Sequence, residues 1–308
     1  MSSARERAPG RIAAAPRSAL SWKALFPVWL WICAMDGLWS AFPGWLWSSS
    51  VGLMAVLTGI PVWAGCAFLG ASGAAGKSTS LRAWLSRIRQ AFPVYYTAPL
   101  FTLVVPALFL SLAWAGGVVG RAPWVGEPLR FAWSMTGGLV LSVLGACWIV
   151  VGVPSIALQV PASVIEHSHA MDVASRALSY VRRRPLLLAA SWIVSGFFSI
   201  LGTTVFVFFL SIVLGSLMAV NAVGDGLRPE LSTICSQVAS VWRQAAVAWA
   251  FPLPWVDRVD VTSPAWTILV ARLAPAFLLA SLASCSACVY TTLRLAVDGT
   301  PVDQIETK

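Results

Sequence analysis

Four side chains that could bind a metal lie together near the middle of the chain: Glu166, His167, His169 and Asp172. Glu166 with His169, and His169 with Asp172, are three residues apart, so each pair could share one face of a helix. A closed zinc site needs about four ligands, and the chain has no histidines besides these two. We therefore favour solvated residues at the start of a helix, and we predict neither a metal site nor a cofactor.

A second candidate is residues 71–78, ASGAAGKS, which fit a permissive form of the nucleotide-binding loop G-x-x-x-x-G-K-[ST]. That loop must follow a strand of a parallel sheet, whereas an apolar run of membrane-spanning length precedes it here. A flexible loop leading to a Ser78 or Thr79 helix cap accounts for the same residues. We predict no nucleotide binding.

Asp36 and Arg272 are charged residues inside apolar runs, where a charge is costly unless it is paired or hydrated. Counted from the ends of their runs, they lie at similar depths in a bilayer. One interpretation is an ion pair between the first and last spans. The other is that Arg272 extends to the headgroups and Asp36 lies at a break in a poorly formed span.

The spacing of Cys285 and Cys288 is that of a redox motif, but the pair lies inside an apolar run. No thioredoxin-like fold can form there. We predict a packing face instead, because Ala283 with Ala287, or Ser281 with Cys285, would let another helix approach closely.

Composition sets the surroundings of all these residues. The 308 residues are 58% hydrophobic and 11% charged, with a mean hydropathy of +0.78, whereas about a quarter of the residues of a soluble domain are charged. Neither G-x-S-x-G nor H-E-x-x-H occurs in the sequence. We predict an all-α integral membrane protein and no enzyme.

Six apolar runs approach or exceed the roughly 20 residues that cross a bilayer as a helix. They cover residues 24–47, 51–70, 94–119, 131–160, 186–220 and 265–290. The first run contains Asp36 and two prolines and is the weakest. We predict a six-span membrane domain over residues 24–290, a disordered basic tail at 1–23 and a second tail at 291–308.

The basic residues give the orientation. Fifteen Lys and Arg residues fall in the segments that this topology assigns to one side and five in those of the other, which predicts that the basic side is cytoplasmic. Both termini would then be cytoplasmic, in a cell inner (cytoplasmic) membrane. The net charge of +9 follows from these segments and does not indicate nucleic acid.

Helical periodicity predicts three amphipathic helices outside the spans. The first two are cytoplasmic, cover residues 80–92 and 171–184, and end before prolines that open the next spans. Their predicted apolar faces are Leu81, Trp84, Leu85, Ile88 and Phe92, and Met171, Ala174, Leu178 and Val181. The third is an external surface helix within residues 221–264, a segment that includes Cys235. Candidate lipid-headgroup contacts are Arg82, Arg87, Arg89, Arg182, Arg183 and Arg184.

Two stretches carry a resemblance, residues 165–185, IEHSHAMDVASRALSYVRRRP, and residues 290–305, YTTLRLAVDGTPVDQI. They resemble segments of bacterial polytopic membrane proteins of unknown function, and are similar to the glycerophosphodiesterase membrane domain and to Yip-like families. The resemblance implies a multi-span helical fold. It implies no activity.

These observations predict a non-catalytic scaffold or accessory subunit. Its expected partners are a bilayer with anionic lipids, and another membrane protein or a second copy of itself, with no nucleic acid and no nucleotide. An alternative is a small-solute transporter with a polar site at mid-membrane depth, since Pro106, Pro154 and Pro275 would break its spans. A third is a lipid-modifying enzyme that uses His167 and His169.

Overall fold

The computed structural model describes residues 16–41, 45–77, 79–119, 131–166, 168–224 and 272–299. All the regular structure in these segments is helical. The helices are α1 (Trp22–Ala41), α2 (Trp45–Ala74), α3 (Leu81–Val119), α4 (Leu139–Glu166), α5 (Ala170–Arg183), α6 (Pro185–Gly224) and α7 (Leu273–Asp298). A π-helical turn, Ser134–Gly138, precedes α4.

Within the described segments, five stretches are long and apolar enough to cross a bilayer, judged by length and composition. They are Ser50–Ala74, Leu81–Val118, Phe131–Glu166, Pro185–Val213 and Leu273–Asp298. The predicted run 24–47 is divided between two helices, since α1 ends at Ala41 and α2 begins at Trp45. The 20 residues of α1, at about 1.5 Å each, are roughly 30 Å long, and α1 packs against α2 and α7.

Helix α7 lies at the centre of the bundle and contacts α1, α2, α4, α5 and α6. Its buried residues are mostly small, namely Ala274, Ala276, Ala280, Ser281, Ala283, Ser284, Cys285, Ser286, Ala287 and Cys288. Small side chains allow helix backbones to approach closely, and close approach stabilises helix pairs in a bilayer. The helix continues to Asp298, beyond the predicted end of the membrane domain at residue 290.

The pattern of α6 matches that of α7. Ser191, Ser195, Ser199 and Thr203 are all buried and recur every four residues, so they form one stripe along the helix. Ser281 donates a hydrogen bond to Ser199 Oγ at 3.1 Å, and Cys285 Sγ lies 3.5 Å from the same oxygen. The residues of the C-x-x-C motif therefore lie in a helix-packing face.

The first predicted amphipathic helix is not a separate element, because α3 runs without a break through Pro93. Of its predicted apolar face, Leu81, Leu85 and Phe92 are exposed, and Trp84 is buried. Trp84 Nε1 donates to the carbonyl of Gly65 in α2 at 3.0 Å. A polar indole N–H that is buried needs a hydrogen-bond acceptor, and the Gly65 carbonyl supplies it.

The second predicted amphipathic helix is α5, and it ends immediately before Pro185, which opens α6. Its buried residues are Val173, Ala174, Ala177, Tyr180 and Val181, whereas Met171, predicted on this face, is 60% exposed. They pack against Ala71, Ala98, Ala162, Leu188 and Leu293, which belong to α2, α3, α4, α6 and α7. The apolar face of α5 is thus covered by protein. We call this end of the bundle the α5 end.

The predicted external helix lies outside the described residues from position 225 onward, as does Cys235. Residues 221–224 belong to the end of α6. The connection at residues 120–130 and the start of the sixth predicted span, up to residue 271, also lie outside them.

Helices α2 and α7 approach closely at Gly70, where an added Cβ would lie 2.7 Å from Ser284 Cα. We expect Gly70→Ala to destabilise the protein by about 1–3 kcal/mol, since backbone atoms cannot yield as a flexible side chain does. Thermal unfolding in detergent measures this. Gly196→Ala is the matched control, because a Cβ there meets nothing within 4 Å. Equal melting temperatures for the two variants would contradict the close approach.

Candidate functional site

The largest group of interacting charged side chains in the described segments surrounds Glu166, the last residue of α4. The Glu166 side chain is 2% exposed. Its carboxylate accepts hydrogen bonds from Arg176 Nη1 at 2.7 Å and from the hydroxyl of Tyr290. Arg294 Nε lies 3.3 Å from the same carboxylate. One acidic group therefore joins α4, α5 and α7.

A second contact reinforces the first. The Tyr180 hydroxyl donates to Asp298 Oδ2, and the rings of Tyr180 and Tyr290 lie 5.8 Å apart. Burial, together with the hydrogen bond to Asp298, raises the pKa of Tyr180 above its ordinary value, so its hydroxyl remains a donor at neutral pH. The negative charge of Glu166 raises the pKa of Arg176. We call these six residues, Glu166, Arg176, Tyr180, Tyr290, Arg294 and Asp298, the carboxylate cluster.

The side chains of the carboxylate cluster bind one another and so hold α4, α5 and α7 together. Two guanidinium groups and a phenol surround Glu166, and a metal ion would have to displace them. His169 is exposed at the N-cap of α5, Asp172 is exposed in its first turn, and His167 lies outside the described residues. Within the segments that the structure describes, no group of three or more His, Cys, Asp and Glu residues is arranged to hold a metal ion.

One sequence pattern could have indicated part of this cluster. Tyr290, Arg294 and Asp298 recur every four residues at the end of α7 and so share one helical face. The metal interpretation considered Glu166 with its neighbours in sequence. In the structure, its partners are 10 to 128 positions away (residues 176 and 294).

Three arginines at the end of α5, just before α6, form the second part of the site. Arg182, Arg183 and Arg184 are exposed and directly precede the candidate span Pro185–Val213. Charges at this position lie where the headgroups of a bilayer begin. We call these three residues the arginine face.

The arginines of α3 divide into two kinds. Arg82 and Arg89 are exposed, and with Leu81, Leu85 and Ser86 they line a surface depression of about 530 Å³. Arg87 differs from the prediction, because it is 4% exposed and its guanidinium lies 5.8 Å from the ring centre of Phe68. The Arg87 side chain lies against α2 and is covered by protein, so it is not exposed to lipid headgroups.

Asp36 and Arg272, the two charged residues of the apolar runs, are in contact. Arg272 Nη2 donates to Asp36 Oδ2 at 2.8 Å, and the side chains are 8% and 29% exposed, respectively. Arg272 immediately precedes α7, while Asp36 lies in the last turns of α1. The pair joins the two helices at the end of α7 that is opposite to the carboxylate cluster.

A third polar contact lies between α3 and α4. Gln159 is fully buried, and its Nε2 donates to Thr102 Oγ1 at 2.7 Å. Trp148 Nε1 donates to the carbonyl of Thr102 at 2.9 Å. Such bonds satisfy polar groups that hydrocarbon cannot.

Residues 71–77 of the nucleotide-loop pattern form a helix end. Helix α2 continues to Ala74, and Gly76, with φ of 69°, supplies the left-handed residue that commonly terminates a helix. The N–H of Lys77 donates to the carbonyl of Ser72 at 2.9 Å. Ser78 lies outside the described residues.

This architecture is that of an all-α, multi-pass membrane protein. No protein-family model, no curated protein and no solved structure matches the chain. The resemblance to bacterial polytopic families therefore stays a prediction.

The Asp36–Arg272 contact can be tested by a double-mutant cycle. Asp36→Asn or Arg272→Gln should each cost about 1–3 kcal/mol, because each leaves a partly or largely buried charge without its partner. The double variant should cost less than the sum of the two. Thermal unfolding in detergent measures all three, and strictly additive losses would show that the two charges do not interact.

The contacts of Glu166 predict that replacing it will loosen the packing of α5 against α4 and α7. Glu166→Gln removes the negative charge between Arg176 and Arg294, so we expect α5 to loosen and its backbone amides to exchange hydrogen faster. Hydrogen–deuterium exchange measured by mass spectrometry resolves this segment. Asp172→Asn is the control, since Asp172 is an exposed acid of α5. Unchanged exchange of the α5 amides in Glu166→Gln would show that Glu166 does not hold α5 in place.

Proposed function

We propose that this protein is a membrane-embedded scaffold or accessory subunit of the cytoplasmic membrane, without catalytic activity. In this proposal the α5 end faces the cytoplasm, both termini lie on that side, and α1 is the first of six spans. The protein contacts anionic lipid through its arginines and other membrane helices through its outer faces.

The observation that carries the lipid contact is the arginine face. Three exposed guanidinium groups directly precede a span, and α5, which ends in two of them, has its apolar side covered by the bundle. What α5 offers outward is therefore mainly positive charge. Each basic residue near an anionic membrane surface contributes about 1 kcal/mol of attraction.

The paired polar residues support a scaffold over a transporter. A transport site at Asp36 and Arg272 would need groups free to bind a solute, yet these two bind each other at 2.8 Å. The Gln159 amide, the Ser281 hydroxyl and the Glu166 carboxylate likewise connect one helix to another. Polar contacts of this kind fix helix positions in a bilayer.

The outer face of α6 supports contacts with other helices or with lipid chains. Large apolar residues are exposed along it, namely Ile193, Phe197, Val205, Phe208 and Phe209. Such a face is stable in hydrocarbon and can pack against a helix of another protein or of a second copy of this chain.

Replacing Arg182, Arg183 and Arg184 together with Gln tests the proposal. We expect less anionic lipid to remain bound when the variant is purified from mixed-lipid nanodiscs, or an inverted topology in reporter fusions. The matched control replaces Arg228, Arg243 and Arg258, which removes the same charge from the segment that the sequence assigns to the other side. If the first variant retains wild-type lipid composition and topology, the arginine face has no such role.

A further inference from the structure

An apolar pocket lies between α1, α2, α4 and α7. Its volume is about 420 Å³, within the range of about 300–1,000 Å³ that small-molecule sites occupy. The lining includes Val28 and Trp31 of α1, Gly59 and Trp63 of α2, Ala157 of α4 and Leu279 of α7. None of its lining residues is charged. The pocket is separate from the carboxylate cluster and from the arginine face.

The position of the pocket along the helices sets what surrounds it. At about 1.5 Å per residue, Ala157 lies roughly 14 Å from Glu166 along α4, and Leu279 lies roughly 16 Å from Tyr290 along α7. Trp63 lies a similar distance from Ala74, the end of α2. A hydrocarbon layer is about 30 Å thick. With the carboxylate cluster at one boundary of that layer, the pocket lies near its middle. Lipid chains are the surrounding medium at this depth.

Two polar groups at its walls, the Trp31 indole N–H and the Cys66 thiol, have protein partners. Trp31 Nε1 donates to Thr58 Oγ1 at 2.9 Å, and Cys66 Sγ lies 3.6 Å from the carbonyl of Ala24. An occupant that carried a charge or an unpaired hydrogen-bonding group would be desolvated there without compensation. A hydrocarbon chain has no such groups to satisfy.

Gly59 shapes one wall. An added Cβ at Gly59 would lie 2.9 Å from Trp31 Cζ2, so the absence of a side chain lets the indole ring lie against α2. The Trp31 indole is also held by its hydrogen bond to Thr58, whose hydroxyl donates in turn to the carbonyl of Met54. The wall is therefore fixed by contacts within the protein.

We propose that this pocket binds one acyl chain of a bilayer lipid and holds it between the helices for longer than the surrounding lipid resides on the protein surface. The inference stands independently of the scaffold role, since it rests on the uncharged, largely apolar lining of the pocket and on its depth.

A phospholipid with a photoreactive diazirine at mid-chain tests the proposal on the intact protein in nanodiscs. After illumination, mass spectrometry should find label on peptides of α1, α2 and α4 that line the pocket. Dilution with unlabelled lipid before illumination should remove this label at least fivefold more slowly than the label on the outer face of α6. Equal rates of loss, or no label at the pocket, would overturn the proposal, as would occupation by a polar solute or a partner helix.

Pocket-filling variants give an independent readout. Ala157→Phe should lower the pocket label at least fivefold and leave the α6 label unchanged. Ala146→Phe is the matched control, because Ala146 is an exposed alanine on the same helix, and it should leave both unchanged. If Ala157→Phe does not fold, Ile156→Trp fills the pocket from the next residue of its lining. Pocket labelling that survives in a folded variant at the wild-type level would contradict the assignment.

Discussion

Two polar contacts hold the central helix at its ends: Arg272 with Asp36 at one end of α7, and Tyr290 with Glu166 toward the other. The two positions are 18 residues apart, or about 27 Å along a helix, close to the roughly 30 Å of a hydrocarbon layer. The residues between them are uncharged, and most of the buried ones are small. The strong electrostatic contacts of α7 are thus about as far apart as the two boundaries of a hydrocarbon layer, and close packing of small residues stabilises the helix between them. The positions of α1, α2, α4, α5 and α6 around α7 depend on this arrangement.

In water, large apolar side chains are buried in the protein interior, but in hydrocarbon this preference is lost. Burying a large apolar side chain gains little when the alternative is lipid, so residues such as Ile193 and Phe208 remain outside, while glycine, alanine and serine occupy the interior. Gly70 against Ser284, and Ser199 against Ser281, show the result in single contacts. Each brings two helices close enough for van der Waals attraction or a hydrogen bond. The interior is specified by small size and by polar pairing.

This reversal also explains which features could be predicted from the sequence. Run length and composition predicted a helical membrane fold, and the periodicity before Pro185 predicted α5. Both predictions depend only on the number and spacing of apolar residues along the sequence. Residues 80–92 were predicted as a separate helix ending before Pro93, whereas α3 continues through that proline. Arg87 was assigned to the headgroups together with Arg82 and Arg89, although its guanidinium is buried beside Phe68 of α2. The partners of Glu166 could not be found by local spacing, because α4 and α7 meet only in the folded bundle. The four-residue repeats of α6 and of the end of α7 were readable signals, since small and polar residues on one face indicate a helix interface.

The two candidate lipid contacts differ in the force that governs them. The arginine face acts through charge, and because α5 has its apolar side covered by protein, its attraction to a bilayer surface should weaken as salt shortens the screening length from about 10 Å at 0.1 M to about 3 Å at 1 M. The pocket between α1, α2, α4 and α7 has an apolar lining in a medium without mobile ions, so salt should not reach its occupant. In one salt titration, a lipid bound through its headgroup would therefore dissociate as salt rises, whereas a lipid bound through its acyl chain would remain. The same experiment would distinguish a protein that recognises the surface of the membrane from one that also recognises its interior.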